Sequence, residues 1–135
     1  GYLTAMALGR DSDLFSGGVD IHGVHDRTLY GYLNSINYEK APDYDLARET
    51  AWKSSPIADI DTWKSPVLII HADDDRNVYF KQSTDLVQRL RKKKVYMETM
   101  VIVDDTHHFM MFENQMKVNK STADFLIRLA EGNIN

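Results

Sequence analysis

A chain of 135 residues, 43% hydrophobic and 27% charged, has the composition of an ordinary globular protein and room for at most one domain with a real core. Its net charge of −4 argues against a nucleic-acid partner, which calls for a basic face, and the absence of cysteine excludes disulfides and thiolate chemistry. No apolar run approaches the roughly 18 residues of a membrane-spanning helix, so no membrane partner is expected.

Residues 3–9 are small and apolar and suit a buried helix that ends near Gly9. Neither a cap nor an initiator Met precedes it, so the chain reads as though it begins inside a helix. Ser16 to Gly23 reads as a short strand whose glycines permit close packing. Residues 24–41 are irregular and aromatic, with Tyr30, Tyr32 and Tyr38 in a polar background. Asp43 is placed to cap a helix over 44–52 that Pro56 terminates, and 56–64 form a connector.

Pro66 to His71 is a continuous apolar run without alternation, which predicts a strand buried on both faces in the middle of a parallel sheet. It stops at Asp73, Asp74 and Asp75, where open α/β sheets keep their ligand sites. A solvated acidic turn is the other reading. Phe80 to Leu90 has helical spacing (Phe80, Leu86, Val87, Leu90). The basic run Arg89 to Lys94 closes it as a solvated end favoured by the helix dipole, or reads an anion. Met97 to Val103 predicts another strand, ending in Asp104-Asp105-Thr106-His107-His108-Phe109, and residues 114–130 a last amphipathic helix. Strand and helix alternate, so the fold class is α/β, a parallel sheet with flanking helices and right-handed crossovers.

Two predicted strands therefore end in titratable clusters. Asp75 and His107 are 107 − 75 = 32 residues apart, enough for one helix and one strand, and a βαβ unit of that size puts both clusters at the same end of neighbouring strands. Asp75 can then accept a hydrogen bond from His107 and fix its tautomer, as a base that activates a serine requires. Asp73 and Asp74 suit the turn itself. His108 is expected to pack or face solvent, and Asp104 and Asp105 to raise the histidine pKa. His22 and His25, three apart, lack a partner motif, and adjacent His107 and His108 point apart, so no metal is expected. The order Asp then His is that of an α/β-hydrolase without its serine. No Gly-x-Ser-x-Gly occurs in the chain, and Ser16, Ser54 and Ser55 lack the pattern.

With these motifs the chain resembles the C-terminal part of the catalytic α/β-hydrolase domain of prolyl oligopeptidase family serine peptidases, the family of dipeptidyl peptidase IV and acylaminoacyl peptidase. Gly1-Tyr2 matches the end of the family's Gly-x-Ser-x-Gly-Gly-Tyr elbow, which implies a domain truncated just after the elbow, with the nucleophile three residues before Gly1. The run Ile69-Ile70-His71-Ala72-Asp73-Asp74-Asp75-Arg76-Asn77-Val78 is similar to the family's Leu-Ile-His-Gly-x-x-Asp-x-x-Val. Val103-Asp104-Asp105-Thr106-His107-His108-Phe109 is similar to Pro-Asp-Glu-x-His-x-Phe, and Ser54-Ser55-Pro56-Ile57 to the segment before the acid strand. Ala72, Val103 and Tyr79 depart from the usual Gly, Pro and Pro.

The resemblance implies Asp75 and His107 as triad members, Asn77 and Val78 as substrate contacts, and Tyr30 as a pocket aromatic. It implies no cofactor. Peptide would be the substrate of the parent enzyme, and the chain alone would be inactive, needing the rest of the domain or self-association to cover its open sheet edge. An esterase or another α/β-hydrolase is the alternative activity, and a non-catalytic assembling module the alternative role.

Overall fold

The apolar run does form the central strand, β2 (Val67–Ala72), and all six of its residues are buried. The computed structural model describes residues 1–29 and 38–134. Among these, β2 lies between β1 (Gly18–Ile21) and β3 (Met97–Ile102) in a three-stranded parallel sheet. Gly18 pairs with Val67 and Val67 with Met97, so all three carboxyl ends emerge on one side.

Successive residues of β2 serve opposite layers, as the pleat requires. Val67 and Ile69 join one cluster with Ala5 and Leu8 of α1 (Tyr2–Arg10), Ile57, Trp63, and Leu86 and Leu90 of α3 (Lys81–Lys92). Leu68, Ile70 and Ala72 join another with Ile102, Phe109, and Val118 and Phe125 of α4 (Phe112–Ala130). A strand covered on both sides has no polar face to alternate, which explains its unbroken hydrophobicity. Each Val, Leu, Ile or Phe side chain among these, once buried, contributes about 1.5–3 kcal/mol. A bidentate ion pair from Arg128 to Glu98, at 2.7 and 2.8 Å, clips α4 to the edge strand β3.

Two local expectations change. α2 (Tyr44–Lys53) begins after Asp43 as foreseen, but that residue makes no side-chain cap bond, its φ of −100° and ψ of 9° departing from the extended backbone a capping side chain uses. The connector over 56–64 contains a 3-10 helix, Pro56–Thr62, kinked at Asp59. Pro56 ends one helix but also suits the first turn of the next, where its missing N–H costs nothing. Further single turns span Arg27–Leu29 and Tyr38–Lys40. Tyr30 and Tyr32 lie outside the described residues.

Candidate active site

The turn that follows β2 carries Asp75 with its side chain wholly buried. Its Oδ1 accepts the backbone N–H of Asn77 at 2.9 Å and of Val78 at 2.8 Å, a local closure for which a short carboxylate is suited. Its Oδ2 faces two imidazoles, His107 Nδ1 at 2.7 Å and His71 Nε2 at 3.1 Å. Burial alone would push this carboxyl pKa up, but the N–H of Val78, the His107 bond and the N–H of Asn77 hold it below the usual carboxylate range. The charge is therefore fixed in place.

His107 reaches Asp75 from the loop after β3. The loop turns at Asp104, with φ of 57°, and is tied down by Asp105, which is 3% exposed. Asp105 accepts the N–H groups of Thr106 (2.8 Å), Met110 (2.9 Å) and Met111 (3.4 Å) and the amide of Asn114 (2.8 Å). The Asn114 bond leads the effects that lower its pKa. Because Nδ1 faces a carboxylate, it carries the ring proton of neutral His107, which leaves the Nε2 lone pair free to accept another. The side chain is 19% exposed.

Sequence reasoning missed the residues that support this pair. His71, 1% exposed, aims Nε2 at both Asp75 and the Val78 carbonyl (2.8 Å) and Nδ1 at the Ser83 hydroxyl (2.6 Å). Burial keeps its pKa below the ordinary value, so the ring is neutral. Nε2 then donates, and Nδ1 accepts from Ser83. A cavity of about 260 Å³ lies against His71, Ser83 and Phe80, between α3 and β3.

His25 differs. Nε2 faces Asp20 Oδ2 at 2.6 Å and Nδ1 faces the Gln82 carbonyl at 2.9 Å, so both nitrogens meet acceptors and both must donate. Burial opposes that charge, but the charge and hydrogen bond of the Asp20 carboxylate, together with the Gln82 carbonyl, outweigh it and the pKa is raised. Gln82 completes the network, its Oε1 accepting the N–H groups of His25 and Asp26 and its Nε2 donating to Asp26 O. Periodicity could not find these partners, since Gln82 is 57 residues from His25.

The remaining expected residues separate. Asn77 is exposed and holds Asp75 through its backbone, while the side chain of Val78 is 6% exposed. Tyr30 lies outside the described residues. Asp73 belongs to the turn and accepts the Asp104 N–H at 2.9 Å, and Asp74 is exposed. Asp104 is exposed and Asp105 faces α4, so neither carboxylate hydrogen-bonds His107. His108 is exposed, its ring edge-on to His107 at 5.4 Å. His22 turns to His107 while His25 turns to Asp20, so these two form no ligand pair. At the start of α1, a Cβ on Gly1 would collide with Asp20 Oδ1 and the Gly23 Cα. Only glycine fits against the loop that follows β1.

A family model described as the prolyl oligopeptidase family matches residues 1–133. Dipeptidyl aminopeptidase BIII of Pseudoxanthomonas mexicana is 28% identical over 142 residues, covering 98% of this chain and 21% of that protein. Dipeptidyl peptidase 4 of Sus scrofa is 29% identical over 108 residues, covering 79% of this chain and 14% of that protein. The chain thus spans about a fifth or less of the length of these relatives. Among solved structures, uncomplexed Pyrococcus horikoshii acylaminoacyl peptidase superposes with a TM-score of 0.77 at 26% identity, over 94% of this chain and 22% of that one. Dipeptidyl peptidase 4 of Porphyromonas gingivalis gives 0.79 at 19% identity, over 93% and 18% respectively, a likeness of fold. The sheet and its helices are those of α/β-hydrolase peptidases, and the chain belongs to the prolyl oligopeptidase family.

Proposed function

We propose that these residues carry the acid–base half of a serine peptidase site that cleaves peptide bonds of short peptides through an acyl-enzyme. His107 is the general base and then the general acid, Asp75 orients it, and Asn77, Val78 and Tyr30 contact substrate. The observation that carries this reading is the 2.7 Å bond from His107 Nδ1 to a buried carboxylate held by three further donors. With Nδ1–H committed to Asp75, Nε2 takes the proton of a serine hydroxyl as that oxygen attacks the scissile carbonyl. It then returns the proton to the leaving amine. Asp75 stays ionised throughout and stabilises the transient imidazolium.

The nucleophile has no candidate among these residues, since none carries the elbow pattern. The 135-residue chain alone is accordingly expected to release no product, and the rest of the domain to supply the serine and the oxyanion donors. Support for a peptidase comes from the family and from relatives named as dipeptidyl peptidases. The test is hydrolysis of dipeptidyl and acylaminoacyl anilides by the protein that carries this chain. His107→Ala should remove all but a small residue of kcat, and Asp75→Asn should remove most of it. Full activity in His107→Ala would end the reading. Turnover of simple esters without anilides would make the protein an esterase.

A further inference from the structure

Next to His107 stands a second imidazole for which the proposed chemistry has no use. His22 directly follows β1, and its N–H still donates to Ile70 O at 2.8 Å, continuing the sheet ladder. There the backbone turns into the left-handed region, with φ of 42°. This conformation is uncommon for a residue with a Cβ, and such departures gather at functional sites. The turn sets the His22 ring on the His107 ring, centroids 3.7 Å apart and planes tilted by 37°. The Phe109 ring lies 5.5 Å from His22. Phe109 has a φ of 47° and is itself sunk in the core with Leu68, Ile70 and Ile102. Two left-handed residues, one just after β1 and one in the loop after β3, thus bring two aromatic rings together beside the base.

We infer that His22 is a positioning residue for His107: its ring, backed by Phe109, holds the His107 imidazole at the angle that meets Asp75 and presents a neutral aromatic face to the imidazolium. One bond to Asp75 fixes a point on the His107 ring but not its rotation about that point, and contact with a second ring supplies the missing restraint. Burial and the facing His107 lower the His22 pKa to about 4, so its ring is uncharged at neutral pH. An uncharged ring attracts a neighbouring cation, whereas a charged one would repel it.

This inference rests on His107 being the base, and the experiment separates the two. His22→Phe, His22→Leu and His22→Ala are made in the protein that carries this chain. Proton NMR follows the His107 Nδ1–H in its bond to Asp75, and kinetics follow an anilide substrate. His22→Phe should keep both the low-field proton and most of kcat. His22→Leu, which keeps bulk without a ring face, should broaden the signal and lower kcat roughly ten- to a hundredfold, with KM within about twofold. His22→Ala should do the same or more. An unchanged proton signal and kcat in His22→Leu would overturn the inference, as would a Phe variant as impaired as the Leu variant. If His107→Ala proves fully active, the base assignment fails instead, and the NMR comparison still decides whether His22 holds the His107 ring.

Discussion

Replacing His25 with alanine strands Asp20, a carboxylate of 0% exposure whose Oδ2 then loses its partner at 2.6 Å. Its Oδ1 keeps one long bond, 3.2 Å from the Gly23 N–H. Removing one member of a buried pair typically costs about 3–5 kcal/mol, because the survivor stays charged and dry. That is a large share of the 5–15 kcal/mol holding a domain together, and for a chain of this length it corresponds to a fall in Tm of roughly 10–20 °C. Asp20→Ala/His25→Ala should recover part of the loss, since no charge is then left unpaired.

The pH dependence has a definite sign. The folded pKa of His25 is raised above its ordinary 6.5, so its contribution is complete below pH 6.5 and disappears as pH rises through the raised value. Urea unfolding followed by circular dichroism at pH 6 and pH 9 measures this. The gap between wild type and the double variant should narrow at the higher pH. A single-variant cost under about 1 kcal/mol, or a gap that does not depend on pH, would refute the claim that His25 is held as an imidazolium.

Three further outcomes follow from the same structure. Ser83→Ala removes the hydroxyl that satisfies buried His71 Nδ1 and should cost about 1–3 kcal/mol in denaturant titration; Ser83→Thr should cost less. Phe125→Ala, at 0% exposure in the α4 layer, should cost about 3–5 kcal/mol by the same measurement. The unpaired edge of β1 among the described residues, with Leu3 at 79% exposure and Phe112 at 73%, should drive association of the 135-residue chain as its concentration rises. Light scattering that shows a compact monomer at high concentration, with no binding of an apolar dye, would count against it.

The parts of this molecule readable from its sequence are those whose signal is local. β2 announces itself by an unbroken apolar run because both of its faces are covered, and Asp75 and His107 stand in motifs just beyond the carboxyl ends of β2 and β3. The supporting shell has no local signal. Asp20 sits in a strand otherwise read for its glycines, Gln82 and Ser83 look like ordinary helix residues, and His22 and His25 resemble a weak metal pattern. Each takes its meaning from a partner brought near by folding. Asp43 shows the opposite error: a residue of the right type at the right position whose backbone does not deliver the bond. Pro56 reads from the sequence only as a helix stop, yet the same ring also starts the next helix.

The acid and the base hang from elements of unequal security. Asp75 follows the innermost strand, whose amides are shielded by a neighbour on either side. His107 follows β3, an edge strand among the described residues, through a loop fastened mainly by the Asp105 carboxylate. Partial opening of the protein should therefore release the histidine loop long before it disturbs the aspartate turn. Amide exchange at Thr106 and Met110 would then run ahead of that at Val78. The pair would come apart from one side only, and the carboxylate would remain folded in place to receive the imidazole when the loop closes again.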